Sequence, residues 1–218
     1  MKRLVIICEG QTENEFCKDI LGDELRGHFN SLDYPLIKHS GGGIVEWKRL
    51  RDQILRHLGE TTDTFVTTFI DYYGIEDKHN FPGWQEAKSI NDMYERIKFI
   101  EEAMRHDIPE NVSYRFIPYI QLHEFETLLF SNINVFKDNY EEESVDFRRL
   151  KDIVQEFPNP EDINCGKKTA PSKRIENAVS DYNKVIDGNS LAMDIGIKTI
   201  RSKCPHFNAW INQIENIN

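Results

Sequence analysis

The chain has 218 residues, 39% of them hydrophobic, and a formal net charge of −10. The length suits one large domain or one domain with an appendage, and the excess of acids argues against a general basic surface for nucleic acid. No apolar run approaches the ~20 residues of a membrane-spanning helix, and the first one is too short for a signal peptide, so we expect a cytoplasmic protein without membrane contact.

The first apolar run is the most informative part of the chain. The apolar run of residues 4–8 predicts a fully buried strand. Glu9 lies at the carboxyl end of that strand, and a tight turn follows at Gly10. A helix is predicted over 12–29. Because ligands of open α/β sheets bind at the carboxyl ends of central strands, Glu9 and Glu13 are candidate functional residues.

Strand and helix patterns then alternate along the chain. Further strands are predicted at 34–39, 64–70 and 114–120, and helices at 44–58, 90–105, 122–130, 146–157, 171–187, 189–202 and 207–217. The alternation indicates an α/β domain over 1–135 with a mainly parallel central sheet flanked by helices. Residues 136–218 are predicted to form an α-helical extension packed on that domain as one compact unit. The cysteines lack CxxC spacing and are predicted to be free thiols: Cys8, Cys17, Cys165 and Cys204.

Acids follow three of the predicted strands. Glu9 ends the first, Asp71 follows strand 64–70, and Glu124 and Glu126 come soon after strand 114–120. Mg²⁺ prefers oxygen ligands and is usually held by one or two carboxylates together with substrate phosphates. The pattern therefore predicts a site for Mg²⁺ or Mn²⁺, although strand ends also carry acids simply because they meet water.

Cations are concentrated near the carboxyl terminus. Residues 161–218 hold eight Lys and Arg against seven Asp and Glu, whereas the preceding 160 residues hold 19 against 30. Whatever anion the protein binds, we therefore expect it to contact Lys167, Lys168, Lys173 and Arg174, which are the candidate nucleic-acid-binding residues. Alternatively, Lys173 and Arg174 lie on the wet face of a helix that begins at Pro171.

Several motifs resemble known families. C-E-G-x-T-E followed by an aromatic residue resembles the opening of Toprim domains, the metal-binding fold of topoisomerases, primases and overcoming-lysogenisation-defect nucleases. In that fold a glutamate ends the first strand, an Asp-x-Asp motif ends a later one, and the nuclease branch has another acid four residues after the glutamate. Glu9, Asp71 and Glu13 match these positions.

The match to one prokaryotic family of Toprim-like proteins, domain of unknown function 4276, is more specific and spans essentially the whole chain. Its resemblance is carried by CEGQTE, FIDYYG, IPYIQLHEFETLLF, APSKRI and CPHFNAWI. Proteins of this type are discussed as nuclease partners of ATPases in antiphage defence. The resemblance also implies that Lys173 neutralises phosphate charge during cleavage.

One position departs from the Toprim pattern. Tyr73 stands where the Asp-x-Asp motif would supply its second aspartate. Either Glu124 or Glu126 replaces that ligand, or the site holds one ion, or the site no longer cleaves. The sequence therefore predicts a metal-dependent nuclease in which Glu13 supports a second ion. The alternative is a catalytically inactive subunit that docks a partner such as an ATPase.

Overall fold

The computed structural model describes residues 2–38, 41, 43–163 and 169–217. Within those residues five strands form one parallel sheet, in the order β2-β1-β3-β4 with β5 also paired to β3. The strands are β1 (Arg3–Cys8), β2 (Ser31–Asp33), β3 (Thr64–Asp71), β4 (Phe116–Ile117) and β5 (Ile120–Gln121). None of the helices in these ranges is long and apolar enough to cross a membrane.

Helices make up most of the remaining chain. The α-helices are α1 (Gln11–Phe16), α2 (Gly22–Leu25), α3 (Trp47–Leu58), α4 (Trp84–Ala87), α5 (Met93–His106), α6 (Glu110–Ser113), α7 (Val135–Asn139), α8 (Phe147–Glu156), α9 (Pro171–Glu176), α10 (Lys184–Ile195), α11 (Ile197–Lys203) and α12 (Pro205–Glu215). A π-helical stretch, Cys17–Leu21, joins α1 to α2, and short 3₁₀ helices occupy Tyr72–Gly74, Asp77–His79, Phe125–Ser131, Glu142–Ser144 and Pro160–Asp162. These elements confirm the predicted α/β class, the parallel sheet and the helical carboxyl-terminal part.

The chain divides into two compact units. Unit 1 comprises residues 1–122 and 210–218, and unit 2 comprises residues 123–209. The division falls inside α12, so the end of that helix belongs to unit 1. The predicted division into 1–135 and 136–218 stays a prediction.

Both faces of the sheet in unit 1 are covered, so almost every residue of β1 and β3 is buried. Val5 and Ile7 of β1 share one buried cluster with residues of α3 and α5. Leu4 and Ile6 point to the opposite face because side chains alternate along a strand. All four are fully buried.

The second face is built from aromatic rings. Phe69 of β3 contacts Phe16 of α1 edge-on, with 5.9 Å between ring centroids. Trp210 of α12 stacks on Tyr119 with ring centroids 4.1 Å apart, and its Nε1–H donates to Thr67 Oγ1 at 2.8 Å. The end of α12 that belongs to unit 1 thus supplies part of the core of that unit.

Two predicted strands differ from the observed ones. The strand predicted at 34–39 lies earlier, as β2, and over the described residues 34–38 an isolated bridge between Cys8 and Leu36 continues the pairing. Residue 39 lies outside the described residues. The strand predicted at 114–120 is split into β4 and β5 at Pro118, which has no N–H to donate to a sheet.

Residues 122–130 were predicted to form a helix, and the structure shows a 3₁₀ helix, Phe125–Ser131, in unit 2. His123 precedes it with φ 66°, in the left-handed region that a regular helix excludes. Every residue of the 3₁₀ segment is buried, so packing within unit 2 determines its form. Cys8, Cys17 and Cys204 are buried free thiols, as predicted, and Cys165 lies outside the described residues.

Candidate functional site

The carboxyl ends of β1 and β3 bring Glu9 close to Asp71. The two strands are parallel neighbours with Cys8 opposite Phe69, so both acids leave the sheet at the same edge. Glu9 Oε2 accepts a hydrogen bond from the Asp71 backbone N–H at 2.9 Å. The side chain of Asp71 is buried, with 8% of the residue exposed.

Glu13 lies on α1 and closes the turn that follows Glu9. Its Oε2 accepts a hydrogen bond from the Gly10 backbone N–H at 2.9 Å, and only 4% of Glu13 is exposed. This carboxylate satisfies one of the amide groups that the start of a helix leaves without a helical partner. Glu13 therefore fixes the turn that presents Glu9.

The backbone of Gly74 lies directly against the Glu9 carboxylate. A Cβ atom at this position would be 2.8 Å from Glu9 Oε1, which is closer than a methyl group can approach. Only glycine permits this contact without moving Glu9. Sequence reasoning missed Gly74, although a glycine three residues after a strand-end acid is a usable signal.

Glu124 and Glu126 belong to unit 2 and have different surroundings. Glu124 Oε2 accepts a hydrogen bond from the Ser172 backbone N–H at 3.0 Å, in the first turn of α9. Glu126 is fully buried, and its Oε2 lies 3.0 Å from Lys184 Nζ at the start of α10. Burial raises the pKa of Glu126, and the ammonium of Lys184 opposes that shift.

The predicted phosphate contacts also belong to unit 2. Lys173 on α9 is half-exposed and pairs with Glu176, whose hydrogen bond raises the pKa of the lysine. Arg174 Nε donates to the Thr169 carbonyl at 2.9 Å, and its guanidinium lies 5.1 Å from the centroid of a phenylalanine ring. Lys167 and Lys168 lie outside the described residues.

Residues 8–215 match the model of a protein family described as Domain of unknown function (DUF4276). The chain belongs to this family. That membership confirms the family resemblance predicted from the sequence, whereas the broader relation to Toprim nucleases stays a prediction. No curated protein and no solved structure matches the chain.

In this DUF4276 protein, the described residues contain no group of three or more His, Cys, Asp or Glu that could hold a metal ion. Glu9 and Asp71 are a smaller donor set of two carboxylates. Such a set fits Mg²⁺ or Mn²⁺, which bind one or two carboxylates and take further oxygens from water and substrate phosphates. The contact with Gly74 supports this fit, because it holds the Glu9 carboxylate against the backbone.

If Glu9 and Asp71 hold a metal ion, Gly74→Ala should weaken its binding with little loss of stability. Gly74 has no positive φ, so alanine can adopt its backbone conformation, and the new methyl group meets only the end of the Glu9 side chain. The rise in melting temperature on adding Mn²⁺ should shrink, as measured by differential scanning fluorimetry. Gly27→Ala is the control, since a Cβ there meets no atom within 4 Å. Equal Mn²⁺ shifts in both variants would contradict a role for Gly74.

Proposed function

We propose that the protein is a divalent-metal-dependent nuclease whose single Mg²⁺ or Mn²⁺ is held by Glu9 and Asp71. The observation that carries this proposal is the hydrogen bond from the Asp71 amide to the Glu9 carboxylate, which joins the acids of two adjacent central strands. The ends of such strands are where open α/β sheets bind ligands. The resemblance of CEGQTE to the Toprim opening supports Glu9, and the resemblance of FIDYYG supports Asp71.

The bound ion would polarise a phosphodiester and lower the pKa of an attacking water. Within this scheme Glu9 and Asp71 supply oxygen ligands, and Glu13 keeps Glu9 in place through its bond to Gly10. It stays a prediction that Glu13 supports a second ion. It also stays a prediction that Glu124 or Glu126 is a further ligand.

Phosphate contacts are assigned to the cations of the carboxyl-terminal part. Lys173 is half-exposed and would neutralise charge that develops on the phosphate. Arg174, Lys167 and Lys168 would contact other phosphates of a nucleic-acid substrate. By resemblance, an ATPase partner and a role in antiphage defence complete the proposal.

A catalytically inactive subunit that docks a partner, such as an ATPase, is the second candidate. Tyr73 in place of a second aspartate favours it. So does the use of Glu13 as the acceptor for the Gly10 backbone amide, a structural task that requires no metal.

Metal binding and cleavage separate the two candidates. At about 100 times Kd, an ion that binds only the folded state stabilises it by about 2.7 kcal/mol, so Mn²⁺ should raise Tm by about 5–10 °C. We expect Glu9→Gln and Asp71→Asn to abolish both this shift and the nicking of plasmid DNA or cleavage of RNA. Glu86→Gln, an exposed acid on α4, should behave like the wild type. If Mn²⁺ still raises the Tm of Glu9→Gln and Asp71→Asn, the ion binds elsewhere. If both variants lose the Tm shift but the wild type cleaves neither DNA nor RNA, the docking subunit is favoured.

A further inference from the structure

Lys184 was not singled out by the sequence, yet its ammonium is paired with the most deeply buried acid of unit 2. Lys184 Nζ lies 3.0 Å from Glu126 Oε2, and the two residues are 58 positions apart. The carboxylate of Glu126 is fully buried, whereas 40% of the Lys184 side chain is exposed. The pair therefore consists of a buried carboxylate, Glu126, and a lysine, Lys184, whose side chain is accessible to solvent.

A second accessible lysine follows directly after a residue that binds Glu124, because the Ser172 backbone N–H donates to Glu124 Oε2 at 3.0 Å and Lys173 is the next residue of α9. The pKa of Lys173 is raised mainly by Glu176, and further by the charges of Glu124 and Glu126. Its side chain is 50% exposed. The starts of α9 and α10 thus contact Glu124 and Glu126 respectively, and each helix start carries an accessible ammonium group.

Stability is a poor explanation for this arrangement. Burying a carboxylate is unfavourable, and a buried ion pair is often no more stabilising than apolar side chains of the same volume. A fixed carboxylate does, however, restrict a flexible lysine to one position, which lowers the entropy lost when the lysine binds a ligand. The pair is thus better suited to orienting an ammonium group than to stabilising the fold.

We propose that Lys184 and Lys173 form a phosphate-binding centre for the sugar–phosphate backbone of a nucleic acid, with Glu126 as the positioning residue for Lys184. The inference rests on the proposed nuclease function for its substrate class. It adds a contact on α10 to those assigned from the sequence. It also gives Glu126 a task other than holding a metal ion.

The experiment measures the anisotropy of a fluorescein-labelled single strand of about 20 nucleotides, and of its duplex, over about 50–300 mM salt in EDTA. EDTA prevents metal-dependent cleavage, so only binding is observed. Log Kd depends on log salt with a slope of about 0.7 per phosphate contact for single strands and about 0.9 for duplexes.

Three variants test the two roles. Glu126→Met/Lys184→Met replaces the ion pair with apolar groups of similar volume, a change that buried pairs usually tolerate. Glu126→Met alone removes the anchor and keeps the ammonium. Lys198→Met removes an exposed lysine from α11 in the same unit and serves as the control. Melting curves verify that each variant is folded.

We expect the double variant to lose about 0.7–0.9 of the salt slope, and Lys198→Met to keep it. Glu126→Met should bind more weakly than the wild type, although removing a negative charge near a polyanion would by itself strengthen binding. A double variant that matches Lys198→Met overturns the phosphate centre, and tighter binding by Glu126→Met overturns the positioning role.

A cleavage assay with Mn²⁺ distinguishes failure of the phosphate-binding centre from failure of the proposed nuclease function. If the double variant binds like Lys198→Met and the wild type cleaves nucleic acid, the inference fails and the nuclease proposal stands. If the double variant loses the slope and the wild type does not cleave, the centre stands and the nuclease proposal fails. A wild type that neither binds nor cleaves overturns both.

Discussion

Replacing Trp210 with alanine should lower the free energy of unfolding by about 3–5 kcal/mol, the usual cost of deleting a large buried aromatic side chain. Trp210 is only 2% exposed, and its ring stacks on Tyr119 and lies 5.5 Å from the ring of Phe69. Alanine would leave a cavity against both rings. Urea denaturation followed by far-UV circular dichroism measures the loss without depending on tryptophan fluorescence.

The hydrogen bond from Trp210 Nε1 to Thr67 Oγ1 can be separated from the packing. Trp210→Phe keeps an aromatic ring and removes the donor, so we expect it to cost less than the alanine variant. A double-mutant cycle with Thr67→Val isolates the bond, whose net value should be about 0.5–1.5 kcal/mol. A cost under about 1 kcal/mol for Trp210→Ala would mean that α12 does not contribute to this core.

Glu161→Ala should cost about 2–4 kcal/mol, because it removes a charged acceptor from two helix-start amides. Glu161 is 2% exposed, and its carboxylate accepts hydrogen bonds from the backbone N–H groups of His206 and Phe207, at 2.8 and 2.9 Å. Both amides lie in the first turn of α12 and are buried. Asp162→Ala, an exposed acid in the same 3₁₀ turn, is the control and should change stability little.

The contribution of Glu161 should also depend on pH. Burial raises the pKa of this carboxyl in the folded protein, and the two backbone hydrogen bonds only partly offset the shift. A raised folded-state pKa contributes stability that is full below the unfolded-state pKa and is lost as the pH rises through the folded-state value. The stability difference between the wild type and Glu161→Gln should therefore be largest below about pH 4 and decrease toward neutral pH. A difference that increases toward neutral pH would contradict this sign.

The sequence predicted the elements whose patterns are local. β1 and β3 are runs of apolar and β-branched residues, and the apolar positions of α3 recur at helical spacing, so each is visible in a short window. The acids at the ends of β1 and β3 are visible in the same short windows of sequence. Glu9 and Asp71 lie close enough for a hydrogen bond because β1 and β3 are paired, and the α/β class implies such pairing.

Features that depend on residues far apart in the chain could not be predicted from the sequence. The segment Phe125–Ser131 has good helix formers, but it is entirely buried and adopts a 3₁₀ form. Lys184 gives no signal, because its partner Glu126 lies 58 residues away and a single lysine at a helix start is common. The same reason applies to Glu161, which meets amides 45 and 46 residues further along the chain.

The discontinuity of unit 1 has a consequence for synthesis on the ribosome. Phe69 and Tyr119 are made long before Trp210, and the 87 residues of unit 2 lie between the two segments of unit 1. At the usual rates of translation these residues take about 4–17 s to add. During that interval the aromatic face of the sheet lacks its last helix, and the nascent chain exposes rings that chaperones recognise and that promote aggregation. Unit 1 completes its core after unit 2 has been synthesised, so the order of folding along this chain is not simply from the amino to the carboxyl terminus.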